Sequence, residues 1–194
     1  LPIDNKSGNW TVQGPFDSNY SLSILNQNIA ASLLKTNLDV FIRISEGHGD
    51  YKPNMDYLNN NQDILGLYNK ELPNEIEVLS RNLYPPRVND MNAKINILHA
   101  FGWEESSINP SWVDDFNFYL DGMTVMSDYV RKILIDNGVY IPIAVCGLGT
   151  DHLTNVVEDN NYRLNGQEFK FLHISSCFPR KGVSYLLQAY GKVF

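Results

Sequence analysis

Residues 39–44, Asp-Val-Phe-Ile-Arg-Ile, place Val40, Phe41, Ile42 and Ile44 in a nearly unbroken apolar run. A strand of that kind cannot leave one face in water. It belongs to a sheet covered on both sides, as in parallel α/β folds. The preceding residues agree. Trp10–Val12 reads as a short strand, and Gly14-Pro15 turns the chain. Leu22, Leu25, Ile29 and Leu33, backed by Ile24, Ala30 and Leu34, then form the apolar stripe of a helix. Strand, glycine turn, helix and strand make a βαβ unit with a right-handed crossover.

The same grammar continues. Ile76–Leu79 and Ile95–Ala100 read as further strands. Ser111 is expected to cap a helix carrying Trp112, Val113 and Phe116, with Asp114 completing a capping box. Met123–Met126 is a fifth strand. Ser127 caps a helix over 128–137 that Gly138 ends, and Ile141–Cys146 is a sixth strand. Pro142 marks the start of that strand or an exposed edge. From Gly147 to Glu168 glycines, asparagines and acidic residues interrupt every period, which reads as a linker. Beyond it Phe171, Leu172 and Ile174 read as a buried strand, and Val183, Leu186, Leu187, Tyr190, Val193 and Phe194 recur at helical spacing. The expected class is α/β: a Rossmann-like parallel sheet with helices on both faces over 1–146, a linker over 147–168, and the first strand and helix of a truncated second domain over 169–194. With Leu1-Pro2 in place of an initiator methionine or a secretory signal, the chain reads as part of a larger protein.

Composition narrows the partners. A net charge of −7 with no basic stripe argues against nucleic acid, because nothing would neutralise its phosphates. No apolar run approaches the roughly 20 residues of a membrane span. Cys146 and Cys177 are too few for a disulfide framework or a zinc site, and both read as buried free thiols in a reducing compartment. His48, His99, His152 and His173 show no metal-ligand spacing, so no metal site is expected.

In an open parallel sheet, ligands bind beyond the carboxyl ends of the strands, so the residues just after each strand carry the chemistry. Gly14 allows close backbone approach to a ligand, or simply a tight turn. Arg81 can pair with a ligand anion or with a structural carboxylate. His99 ends a buried strand and reads either as a hydrogen-bonded core residue or as a catalytic group. Glu104 and Glu105 follow it, suited to positioning a hydroxyl, to acting as a base, or to solvated loop charge. Late in the chain, Phe-Pro-Arg-Lys-Gly at 178–182 sets Arg180 and Lys181 where a helix begins. The helix terminus and the cations both favour phosphate there, the alternative being a solvated basic turn.

Taken in order, the segments Gly-Pro…Ser-Asn-Tyr-Ser-Leu-Ser-Ile-Leu-Asn, Arg-Asn-Leu-Tyr-Pro-Pro-Arg, Trp-Glu-Glu-Ser, Val-Cys-Gly-Leu-Gly-Thr-Asp and Phe-Pro-Arg-Lys-Gly-Val-Ser-Tyr-Leu-Leu-Gln-Ala-Tyr resemble bacterial glycosyltransferases of family 4, the "group 1" enzymes. The resemblance covers residues 10–194 and is most specific in its last segment. It implies the N-terminal half of a GT-B fold, in which two Rossmann-like domains face each other across a cleft. It implies a nucleotide-sugar donor, a polysaccharide or glycolipid acceptor, retention of configuration, no metal or other cofactor, and work at the cytoplasmic membrane face. Carried onto this sequence, Lys181 and Arg180 would hold the donor pyrophosphate and Gly14 would let the first loop approach it. Arg81 and Asn19 would contact the acceptor, and His99 and Glu104 would stand at the reacting centre. One departure stands out: Ser175-Ser176 occupies the place where the family commonly has Gly-Arg. The acidic motif of the family's donor half is not within these residues, so the chain by itself is expected to be inactive. Its last strand and helix are expected to pack on the first domain or on a second copy. A nucleotide-sugar epimerase of the same architecture and a non-catalytic α/β interaction module are the rival readings.

Overall fold

A computed structural model describes residues 7–46, 51–150, 153–154, 156–163, 165 and 169–194. His48, His152 and parts of the 147–168 linker reading lie outside the described residues. The chain divides into two units, Leu1–Asn155 and Val156–Phe194, with the boundary inside the segment read as a linker.

The first unit is built on a six-stranded sheet in which every pairing is parallel. Its strands are β1 (Asn9–Gly14), β2 (Asp39–Ile44), β3 (Val78–Arg81), β4 (Ile95–Phe101), β5 (Gly122–Val125) and β6 (Ile143–Val145), in the order β2-β1-β3-β4-β5-β6. Five helices accompany them: α1 (Ser21–Leu33), α2 (Met55–Asn59), α3 (Gln62–Tyr68), α4 (Pro110–Tyr119) and α5 (Asp128–Asp136). The result is a Rossmann-like α/β fold with helices flanking the sheet. Val40, Phe41 and Ile42 are consecutive and all buried, as a strand covered on both faces requires. One apolar cluster gathers Val12, Phe16, Ala30 and Ile42 with α1 and α3 side chains, while a larger one centres on Leu98, Phe116, Met123 and Leu134.

Several local expectations are met. Ser127 caps α5 by accepting from the Val130 N–H. Gly138, at φ +95°, ends it in a Schellman pair, with Gly138 N donating to Ile135 O at 3.0 Å and Val139 N to Leu134 O at 2.9 Å. Others need correction. Asn109 rather than Ser111 caps α4: its Oδ1 accepts from Ser111 N and Oγ, and Pro110, whose fixed φ suits a first helical turn, begins the helix. Pro142 lies just before β6 rather than as its first residue, but β6 is an edge strand, the other reading Pro142 allowed, and the Pro142 carbonyl accepts from Met123 N. The helices α2 and α3 had no counterpart in the sequence reading.

In the second unit Phe171, Leu172 and Ile174 form no strand and are exposed, against the expectation of a buried one. No strand lies beside them among the described residues, and a strand without a ladder partner is not stable in water. A short 3-10 turn, Pro179–Lys181, leads through Gly182 at φ +71° into α6 (Val183–Val193). Phe171 still packs within this unit, with its ring 5.8 Å from that of Tyr190. The α6 side chains Leu187, Val193 and Phe194 are exposed. Both cysteines are exposed rather than buried: Cys146 leaves an edge strand, and Cys177 sits in an irregular segment at φ +56°.

Candidate functional site

Strand order reverses between β1 and β3, because the chain passes from β1 to β2 on one side and returns to β3 on the other. That point, at the strands' carboxyl ends, is where a doubly wound sheet opens a crevice. Beneath the crevice lies a buried polar network. Gly14, at φ +152°, runs so close to its neighbours that a Cβ there would stand 2.3 Å from Asn82 O and 2.4 Å from Asn26 Nδ2. Asn26, fully buried in the middle of α1, donates from Nδ2 to Pro15 O at 3.1 Å and to Asn82 O at 3.0 Å. Its Oδ1 therefore faces His99 and accepts from Nε2–H at 2.7 Å. Asn82 Nδ2 in turn donates to His99 O and Ala100 O. The last two residues sit where the β4–β5 register shifts, and Ala100 adopts φ +46°. One amide from α1 thus ties together the loops after β1 and β3 and the irregular end of β4.

His99 is 4 % exposed and does not line the crevice, so of the two readings the sequence left open it occupies the core position. Burial pushes its imidazole down from 6.5 to about 3, and Nδ1 has no hydrogen-bond partner. The unfolded chain then binds a proton here that the folded protein refuses. This stabilising contribution is whole above about pH 6.5 and is lost as pH falls from there toward 3. His99→Gln, which keeps a donor for Asn26, should flatten the decline of unfolding free energy across that window. The change in slope should approach one proton, about 1.4 kcal/mol per pH unit. Urea titrations of both proteins at several pH values would show it, and parallel curves would refute it.

Arg81, at 1 % exposure, uses every N–H it has. Nε and Nη2 donate to Gln13 Oε1, Nη1 donates to Arg87 O, and Nη1 and Nη2 reach Asp90 Oδ1 and Oδ2 at 2.5 and 3.2 Å. The guanidinium holds the Asp90 carboxyl below its usual range, chiefly through that hydrogen bond. Of the two roles the sequence allowed Arg81, the structure gives the internal ion pair, which fixes the loop after β3.

Above this floor opens a cleft of about 550 Å³. Gln13, Ser45, Glu46 and Arg81 line it from the strand ends, residues 85–87, 89 and 90 from the loop after β3, Tyr51 from the segment after β2, and Ser111, Trp112 and Asp115 from the first turns of α4. The wall bearing Tyr51 is braced on the loop after β1. Asp17 is buried, and its carboxylate accepts from Tyr51 Oη at 2.6–2.7 Å and from Asn54 N at 2.6 Å. Asn19, exposed, accepts from Tyr57 Oη at 3.0 Å. Tyr20 Oη donates to Glu46. Desolvation first, and then the carboxylate each one faces, raises the Tyr20 and Tyr51 hydroxyls above their usual range, so both stay protonated donors at neutral pH. The result is a concave surface of carboxylates, amides, hydroxyls and one indole, with donors and acceptors interleaved.

Three other residues singled out in the sequence lie in other segments of the chain. Glu104 is exposed in the turn after β4. Arg180 and Lys181 belong to the second unit, exposed in the turn before α6, where Lys181 N donates to Phe178 O. The sequence reading missed Gln13, Asn26, Glu46, Tyr51 and Asp115, although Gln13 and Glu46 carry the available signal of lying at strand ends. Among the described residues no group of three His, Cys, Asp or Glu side chains is arranged to hold a metal ion, and no helix is long and apolar enough to cross a membrane. Comparison with family models, with curated proteins and with solved structures finds no match for the chain.

Proposed function

We propose that the chain is part of a sugar-nucleotide-dependent glycosyltransferase whose first unit holds the acceptor, a polysaccharide or glycolipid at the cytoplasmic membrane face. The observation that carries this is the polar cleft at the point of strand-order reversal. A saccharide presents hydroxyls that both donate and accept. A lining of carboxylates, amides, serine hydroxyls and a protonated tyrosine suits it better than it suits an apolar or strongly anionic ligand. The sequence resemblance supports the same reading; a Rossmann-like fold by itself would not, since it serves many activities. In this scheme Glu46, Tyr51 and Asn19 face the acceptor, and Gly14 allows the first loop to approach the donor. Glu104 stands near the reacting centre, while Arg81 and His99 hold the floor in place. Lys181, with Arg180, receives the donor pyrophosphate.

Incubating the full-length protein with UDP-glucose, UDP-N-acetylglucosamine and GDP-mannose and an acceptor panel tests the reading. Transfer of the sugar supports it, isomerisation of the donor favours an epimerase, and neither outcome favours an inert module. Lys181→Ala should weaken donor binding about ten- to a hundredfold, the value of a charge-assisted bond to phosphate, without lowering the melting temperature. Calorimetric donor affinity equal to wild type would remove Lys181 from the site.

A further inference from the structure

The geometry points to Trp112 as the platform on which one ring of the acceptor sugar stacks, with Asp115 and Ser111 on the same helix taking its hydroxyl protons. This rests on reading the cleft as a saccharide site. Trp112 lines the cleft from the first turn of α4 and is only partly buried, although indole is the largest apolar side chain available. Its orientation is fixed by two neighbouring rings. Tyr84 meets it edge-on at 6.2 Å and 88°, and Trp103 at 5.6 Å and 82°. Trp103 is itself anchored by Nε1–H donating to Ser107 O at 2.8 Å. Trp112 Nε1–H and the Asp115 carboxylate, by contrast, make no hydrogen bond among the described residues. Ser111 Oγ spends its proton on Asn109, which leaves its lone pairs to accept.

Positions 112 and 115 are neighbours on one helix face, and 111 and 115 likewise, so the three groups converge on one spot. A rigid amphipathic ring beside unspent acceptors is the complement of a pyranose, which has an apolar face of C–H groups and a rim of hydroxyls. Pre-fixed rings lose little conformational freedom on binding, so their contact area converts efficiently into affinity. A nucleobase would stack on the same indole. Its phosphates, however, would meet three carboxylates, those of Glu46, Asp90 and Asp115, against two cations in the described lining, Arg81 and Arg87, and every Arg81 N–H is already engaged.

The test uses the full-length protein and the methyl glycosides of glucose, galactose, mannose and N-acetylglucosamine, with maltose and cellobiose as longer probes. Binding is followed by saturation-transfer NMR and indole fluorescence, with uridine and adenosine in parallel. At least one glycoside should bind. Trp112→Ala should lose about tenfold or more in its affinity, and Trp112→Phe should stay within about threefold of wild type, on the scale of ring stacking against an aromatic side chain. Asp115→Asn, which preserves shape, should weaken binding several-fold with an unchanged melting temperature, so the claim survives if Trp112→Ala fails to fold. Full saccharide affinity in a folded Trp112→Ala, preferential nucleoside binding at this indole, or active transfer with no glycoside bound to the wild type would each overturn the platform. Glycoside binding that depends on Trp112 in a protein that transfers no sugar would uphold the platform and overturn the glycosyltransferase reading instead.

Discussion

Gly14→Ala should leave the first unit unfolded or barely folded at 25 °C, a loss above about 3 kcal/mol. The added methyl would lie 2.3 Å from a backbone carbonyl, Asn82 O, and 2.4 Å from the Asn26 amide. Neither can retreat cheaply. Asn82 N is bonded to Gln13 O in the ladder extending from β1 and β3, and Asn26 is held by three partners. Backbone at φ +152° adds strain for any L side chain. Chemical denaturation followed by circular dichroism would measure the loss, and a change below about 1 kcal/mol would show that the loops after β1 and β3 yield more readily than their hydrogen bonding implies.

Asn26→Leu is the second large effect expected, about 3–5 kcal/mol with the same branching and number of side-chain heavy atoms. The substitution strands Pro15 O, Asn82 O and the His99 Nε2–H together. Each buried group left without a partner costs about 1–3 kcal/mol. His99 would then have both ring nitrogens unpartnered, since Nδ1 already is. Leu sets a methyl where Nδ2 stood, so the clash with a methyl at position 14 persists; what the two substitutions share is the network each one breaks, so Gly14→Ala and Asn26→Leu combined should destabilise by less than their sum. A loss under about 1 kcal/mol for Asn26→Leu, or strict additivity, would count against a single shared network.

Much of the sheet was legible because burial on both faces leaves a direct trace in composition. Val40, Phe41 and Ile42 announce a covered strand whatever surrounds them. The existence of α1 and the Ser127 and Gly138 boundaries of α5 follow from local rules of period and capping. The residues α1 buries, however, are Ser23, Asn26 and Ala30, while Leu22, Leu25, Ile29 and Leu33 are only half-buried and Leu34 is exposed. The polar network was not legible. Asn26 looks like a surface residue in an amphipathic helix, and its partner Asn82 is 56 positions away. Arg81 and His99 were identifiable as residues of consequence because they end strands, but whether such a group faces solvent or a partner depends on Gln13 and Asp90, which only the folded chain brings near. Trp112 illustrates the opposite difficulty. Helical spacing marks it as apolar and so as core, whereas the rings of Tyr84 and Trp103 hold it at the rim. Residues 171–174 have the pattern of a strand and lack a neighbour, and pattern alone supplies no hydrogen bonds.

The position of β1 between β2 and β3 also sets an order in time. Contacts joining the start of β1 to the approach to β2 span 30 residues, as between Ser7 and Asn37, while those joining it to the approach to β3 span 68, as between Asn9 and Glu77. On a ribosome releasing about 5–20 residues per second, β1, α1 and β2 are available for seconds before β3 emerges. During that interval one edge of β1 is an open ladder. Pairing over so long a loop is also slow once the chain is free, because distant strands must search for register before any contact rewards them. The crevice at the reversal point therefore cannot exist early. Its two banks belong to stretches of chain made at different moments, and the groove forms only after the second bank has joined a first that was free to take shape before it.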